Sequence, residues 1–249
     1  MTGLDVVVTG ATGRTGSEVL TEAAERGHEV VGVARSGGEV GGITVEPADR
    51  IETLLSDADV LIDFTLPEAS REFVTAAAEA GVPCVVGTTG FGADGEAALD
   101  AAAESVPILQ AANFARGVQA LLRVVEAGVE ALPDYDVELT ETHHNGKRDA
   151  PSGTAKTILD VVDSARGEEL DRTHGREGEH LRDESEVGVH VRRAGTVRGE
   201  HEVMLADNDE ILTLTHRAES RRVFAAGAVD AAEWIQDRQP GRYRFSETI

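Results

Sequence analysis

Lysine is nearly missing from this chain of 249 residues: only Lys147 and Lys156 are lysines, against 21 arginines. Cysteine is scarcer still. Cys84 stands alone, which excludes an internal disulfide and leaves no cysteine cluster for zinc. No apolar run approaches the roughly 20 residues a membrane-spanning helix needs. The chain passes from Met1 into a short apolar run at 4–8 without a basic segment or cleavage site, so no signal peptide is expected. These absences predict a cytoplasmic protein with no membrane partner. Positive charge is also in deficit. Forty-six acids against 23 bases give a net charge of −23, which argues against nucleic acid or anionic lipid as the main partner. Such self-repulsion is screened at molar salt, where the Debye length falls to about 3 Å, and the composition is read as halophilic. With so few lysines, each one invites a specific explanation.

What is present has an ordinary hydrophobic fraction, 41%, in a chain long enough for one large domain or two small ones. Over the first 112 residues, short apolar runs at 4–9, 29–34, 60–64, 83–86 and 106–110 alternate with helical patterns at 14–26, 68–80 and 94–104. Continuously apolar short runs suit strands buried on both faces, as in a parallel sheet. Gly27 and Gly81 follow two of the helices as C-caps, and Pro67 precedes the second. The expected fold is α/β, an N-terminal Rossmann-type doubly wound parallel sheet. After about residue 114 the rhythm changes. Helices are expected at 117–131 and 154–165, strands at 137–142, 187–191, 197–205 and 211–215, and an exposed, mobile connection at 167–186. This second part reads as a smaller α+β domain with a mixed, open-faced sheet. An Ala-rich helix at 223–234 resembles those of the first part and is expected to return to it. The domains are therefore placed at 1–114 with 222–249, and at 115–221.

Two segments carry chemistry. Gly10-Ala11-Thr12-Gly13-Arg14-Thr15-Gly16 follows the first strand and opens the first helix, the context of a dinucleotide turn. Gly10 permits the tight turn, Gly13 lets backbone approach a pyrophosphate and Gly16 allows close helix packing. The helix start presents free N–H groups to the anion. The second strand runs into Ala34-Arg35-Ser36 with no acid before Glu39, so NADPH is expected to serve at least as well as NADH.

The other segment is Glu141-Thr142-His143-His144-Asn145-Gly146-Lys147-Arg148-Asp149-Ala150-Pro151-Ser152-Gly153-Thr154-Ala155. It gathers imidazole, ammonium and guanidinium groups in a loop that ends at a helix start. There the Ser152 or Thr154 hydroxyl and unpaired N–H groups form an anion cradle. A cationic pocket on an anionic protein suits a carboxylated substrate, and the family resemblance given below makes it a small dicarboxylate. His143 titrates near neutrality and can move a proton; Lys147 can stabilise developing negative charge or donate a proton. Lys156 is expected on the exposed face of the helix. With no HExxH and no cysteine partner, no metal is expected at His143-His144.

With Asp63-Phe64-Thr65, Gly87-Thr88-Thr89-Gly90, Ala111-Ala112-Asn113-Phe114, Arg192-Arg193-Ala194-Gly195-Thr196 and Gly199-Glu200-His201, this loop resembles the dihydrodipicolinate reductase family essentially end to end. The resemblance implies reduction of 4-hydroxy-tetrahydrodipicolinate to tetrahydrodipicolinate by NADPH or NADH, in lysine and diaminopimelate biosynthesis. It implies that Gly10, Ala11, Thr12, Gly13, Arg14 and Thr15 hold the pyrophosphate. Gly87, Thr88, Thr89, Ala111, Ala112, Asn113 and Phe114 would line the nicotinamide end. His143 would be the proton donor and acceptor, Lys147 a second proton donor, and His144, Gly153 and Thr154 the holders of substrate carboxylates. It further implies a homotetramer built by the second domain. The opening turn is also similar to short-chain reductases and to cofactor-sensing regulators. The Tyr-x-x-x-Lys of the catalytic members is absent, since Leu139 and Glu247 stand four residues after Tyr135 and Tyr243. A regulator gives no reason for the 143–154 loop, and a related amino-acid dehydrogenase is the remaining alternative.

Overall fold

The computed structural model describes residues 3–248, which form two compact units: the residues up to 116 with those from 221 onward, and residues 117–220. In the first unit β1 (Asp5–Thr9), α1 (Gly16–Glu25), β2 (Glu29–Ala34), β3 (Gly38–Val40), β4 (Ile43–Pro47), α2 (Ile51–Leu55), β5 (Val60–Asp63), α3 (Pro67–Ala80), β6 (Cys84–Val86), α4 (Ala93–Ala103) and β7 (Pro107–Gln110) follow in order. The second unit supplies α5 (Arg116–Ala131, its first residue still in the first unit), β8 (Asp136–His143), α6 (Gly153–Arg166), β9 (Asp171–Thr173), β10 (Glu186–Arg193), β11 (Glu200–Asp207) and β12 (Glu210–Arg217). The chain then returns to the first unit for α7 (Arg222–Ile235) and β13 (Gly241–Arg244).

The first sheet has the order β3-β4-β2-β1-β5-β6-β7-β13, and only β3 runs antiparallel to its neighbour. Its strands are apolar on both faces because both are covered. Val6, Val8, Val60 and Ile62 join Val19 and Leu20 of α1 and Val229 and Ile235 of α7. Val7, Leu61 and Val86 face Val74 and Ala77 of α3 and Leu99 of α4. The crossovers from β1 and β5 leave to opposite sides, so the sheet has a switch point between these two strands. Helix ends follow local chemistry. Pro67 opens α3, and Gly81 closes it in the left-handed conformation at φ 74°.

The second unit is a five-stranded mixed sheet, β12-β11-β8-β10-β9. One face is sealed by Leu121, Val125 and Val129 of α5 and Ile158, Leu159 and Val162 of α6, packed on Val137, Leu139, Val189, Val203 and Leu205. The other face carries Glu138, Thr140, His190, Glu202 and Met204 around a shallow concavity.

The structure departs from the sequence reading in four places. Residues 35–59, where no element was expected, hold β3, β4 and α2, whose short spans give little periodicity. The 167–186 connection is not a free tether: β9 pairs parallel with β10, and Arg176 and Arg182 are ion-paired to Glu138 and Glu186. The strand expected at 197 starts at Glu200, because Ala194 and Val197 close a turn first. At the C-terminal end β13 adds an edge strand beside β7, although Gly and Arg are not strand formers.

Helix α7 lies against α1 and against Phe114, whose carbonyl oxygen occupies the place where a Cβ of Gly227 would sit. Gly227→Ala should raise helix propensity by about 1 kcal/mol yet lower stability by about 1–3 kcal/mol through overpacking. Urea unfolding of the variant measures the sign, and a more stable variant contradicts the packing account.

Candidate active site

All fourteen residues expected to hold the cofactor lie just beyond the carboxyl ends of four parallel strands, β1, β2, β6 and β7. Gly10 is left-handed at φ 74°, and a Cβ there would collide with the Phe64 carbonyl oxygen. Its own carbonyl accepts the Gly13 N–H at 2.8 Å and blocks any side chain at Gly16. Ala11 is buried and donates its N–H to Val33, while Thr12, Gly13 and Arg14 are exposed. Thr15 is the N-cap of α1 and makes no side-chain cap bond, while in the first turn the Ser17 N–H donates to the Gly13 carbonyl at 3.0 Å. Arg14 and Arg35 are exposed and make no ion pair among the described residues. Gly87 lies flat on the Phe64 ring, with no room for a side chain, and Phe64 in turn packs on Phe114 at 5.7 Å. Thr89 and Ala112 are exposed, Ala111 is half-buried, and Asn113 accepts the Ala115 N–H at 2.8 Å. An open glycine turn, an uncapped helix start and two uncommitted arginines fit a dinucleotide.

Asp63 ties this region together and was not singled out by its chemistry. Fully buried at the end of β5, it accepts hydroxyl hydrogen bonds from Thr9 at 2.6 Å, Thr65 at 2.7 Å and Thr88 at 2.6 Å. The Thr88 oxygen also accepts the Thr65 N–H at 2.9 Å.

In the second unit, the alternation of β8 puts Val137, Leu139, Glu141 and His143 on one face, so an acid and an imidazole enter the protein interior together. Glu141 is fully buried. Its carboxylate bonds to His143 Nδ1, accepts the Ser152 N–H at 3.0 Å, and takes both ends of the Arg193 guanidinium, at 2.8 and 3.1 Å. Burial resists its ionisation, but hydrogen bonds from Arg193 and His143 hold its carboxyl below the usual range. For His143, burial lowers the pKa and Glu141 raises it, and the charges of Lys147 and Arg193 lower it again. The net direction is down.

Lys147 is thus near enough to His143 to act on it, while its ammonium bonds Asp149 at 2.9 Å. His144 is half-buried beside Gly146. Ser152, rather than Thr154, caps α6 by accepting the Ala155 N–H at 3.2 Å. Gly153 is open to solvent and Lys156 is exposed on α6. Three participants, Glu141, Arg193 and His201, were given no role by the sequence reading. Arg193 stands beside His143 in the parallel ladder of β10 on β8. His201, on β11, lies edge-on to His143 at 5.2 Å and bonds the Ser152 hydroxyl at 3.1 Å. A buried acid two residues before a strand-end histidine was the available signal for Glu141. Glu141, His143 and His201 bring ligand-type atoms within 4.8 Å of one another. The guanidinium against both Glu141 oxygens, however, already supplies the positive charge that a cation would bring.

Residues 4–114 match the N-terminal part of dihydrodipicolinate reductase and residues 117–249 its C-terminal part. The chain is 72% identical over 246 residues to a 4-hydroxy-tetrahydrodipicolinate reductase from Natronomonas pharaonis, covering 99% of this chain and 100% of the relative. It is 50% identical over 247 residues to the protein of that name from Haloarcula marismortui, covering 98% of each. Among solved structures, a dipicolinate-bound dihydrodipicolinate reductase from Paenisporosarcina sp. TG-14 superposes with a TM-score of 0.80 at 21% identity, over 99% of this chain and 100% of that one.

Burial pushes the His201 pKa down to about 4 from an ordinary 6.5. Between these values the unfolded chain binds a proton that the folded chain refuses, so stability should rise with pH across this window. The rise attributable to His201 is up to roughly 3 kcal/mol. Urea midpoints measured from pH 4 to 6.5 at constant salt should climb less steeply in His201→Gln than in the parent chain.

Proposed function

The chain belongs to the dihydrodipicolinate reductase family, and we propose that it reduces 4-hydroxy-tetrahydrodipicolinate to tetrahydrodipicolinate with NADPH or NADH, His143 and Lys147 handling the protons. The observation that carries this reading is the buried pair of His143 and Glu141, held by the half-buried Arg193 and with the Lys147 charge acting on it, at a helix start. A bound reduced nicotinamide supplies the hydride. The α1 turn, from Gly10 to Thr15, holds the pyrophosphate through backbone N–H groups. Gly87, Thr88, Thr89 and the 111–114 segment would line the nicotinamide end.

Loss of the 4-hydroxyl as water makes the substrate a conjugated imine, and hydride addition to that imine would leave negative charge that one proton must quench. Burial, with the charges of Lys147 and Arg193, lowers the His143 pKa and makes its protonated ring a stronger acid, and Lys147 opposes the developing charge. His144, Gly153, Thr154 and the α6 N-terminus receive the substrate carboxylates, as helix starts favour anions. Arg35, exposed beyond β2 with no acid before Glu39, suits a 2′-phosphate.

The protein works as a second-copy assembly in concentrated salt. The uncovered sheet face, with Ile211 67% exposed at its β12 edge, supports self-association to a homotetramer. The charge of −23 supports the salt requirement, as do relatives from Natronomonas and Haloarcula. No helix among the described residues is long and apolar enough to cross a membrane, and the lone buried Cys84 suits a reducing, cytoplasmic compartment.

A coupled assay with dihydrodipicolinate synthase in concentrated KCl, following NADPH absorbance, tests the reaction. His143→Ala should lower kcat by about 10²–10⁴-fold, with NADPH affinity within about twofold by fluorescence titration; Lys147→Ala should act in the same direction. Near-normal turnover in either variant removes that residue from the chemistry. With both cofactors under one salt condition, Arg35→Ala should weaken NADPH use by about tenfold while leaving NADH unchanged. A clear NADH preference in the parent chain contradicts the assignment of Arg35.

A further inference from the structure

We infer that Glu141 is a positioning residue: clamped by Arg193, it takes the Nδ1–H of His143 and thereby commits Nε2 to proton transfer on the side that Gly199 leaves open. The inference rests on the reading of His143 as the proton-handling group.

The geometry is specific. An ionised carboxylate is an acceptor only, so the nitrogen facing it must carry the hydrogen. Glu141 stays ionised because three donors reach it: the forked guanidinium of Arg193, the Ser152 N–H and His143 itself. With Nδ1 fixed as the donor, Nε2 of a neutral His143 is a lone-pair acceptor, and in the imidazolium it becomes the one transferable proton. A Cβ at Gly199 would lie 3.2 Å from that Nε2 and 4.0 Å from the His201 ring, so glycine there keeps the approach free of a side chain.

Arg193 also anchors the loop it faces, donating to the Asp149 carbonyl at 2.6 Å, so the clamp and the loop carrying Lys147 share one guanidinium. The charged and titratable groups around His143 are Glu141 on its own strand, Lys147 in the following loop, Arg193 on β10 and His201 on β11. Glu141 alone among them favours the protonated imidazole. Without it, the remaining groups and burial all favour the neutral ring.

The first test uses the unmodified protein. With ¹⁵N-labelled histidine, neutral His143 should show the Nδ1–H tautomer; an Nε2–H tautomer overturns the inference whatever the variants do. The second uses Glu141→Gln, which keeps the shape and removes the charge. The His143 titration midpoint should move to lower pH, and the limb of the kcat–pH profile that follows it should move in step. At the plateau kcat should fall at least about tenfold while KM and NADPH affinity stay within about twofold.

An unchanged His143 midpoint and pH profile in Glu141→Gln overturns the positioning role, as does a loss confined to KM. Arg193→Lys retains the charge but loses the fork, and should lower kcat without abolishing folding; full activity in it removes Arg193 from the clamp. Failure of the underlying reading looks different. Should His143→Ala turn over normally, the proton role itself is wrong, whereas an inactive His143→Ala beside a fully active Glu141→Gln rejects the clamp alone.

Discussion

A carboxylate taken wholly out of water must be given donors in its place, and in the second unit everything near the loop is arranged by that need. Glu141 faces inward because β8 alternates and its neighbours Leu139 and Val137 belong to the core. Once inside, it draws Arg193 across from β10, the Ser152 N–H from the start of α6 and the imidazole of His143 from its own strand. Three elements from separate stretches of sequence thus converge on two oxygen atoms. Removing one donor from such a set leaves a buried charge short of partners, a larger penalty than the worth of any single bond. The same requirement appears in the first unit, where Asp63 is satisfied by hydroxyl groups instead of a cation.

Most of the first unit could be read from the chain. Five apolar runs became β1, β2, β5, β6 and β7, and the glycines and proline at 27, 67 and 81 marked helix ends as their backbone chemistry demands. What escaped were pieces without a period of their own. Strand β3 is three residues long and β9 likewise, too short for alternation to show. Both are held by a neighbour in the sheet, a tertiary cause that no local pattern records. Strand β13 is an edge segment rich in arginine, and its ion pairs to Asp100 and Glu96 anchor it where strand propensity is weak.

The chemistry was legible where residue type alone carries it. His143 and Lys147 stood out as reactive groups by type, and the Lys147 charge is one of the influences that lower the His143 pKa. The glycine turn stood out because only glycine tolerates its collisions at positions 10 and 16. Arg193 and His201 entered only as members of motifs that carry the resemblance, since an arginine among 21 and a histidine among eight declare no role by type alone. Their roles follow from ladder register, with Arg193 opposite His143 and His201 opposite Glu141. Register is a long-range property. Ser152 against Thr154 as the cap was likewise undecidable from composition, because either hydroxyl can serve.

Asp63 has a consequence for how the first unit tolerates change. Thr9 ends β1, and Thr65 and Thr88 lie just after β5 and β6, yet one carboxylate accepts from all of them. Substitutions at these threonines are therefore not independent events. Losing one hydroxyl alters the hold on the other two segments, so the effects of such substitutions on stability couple instead of adding.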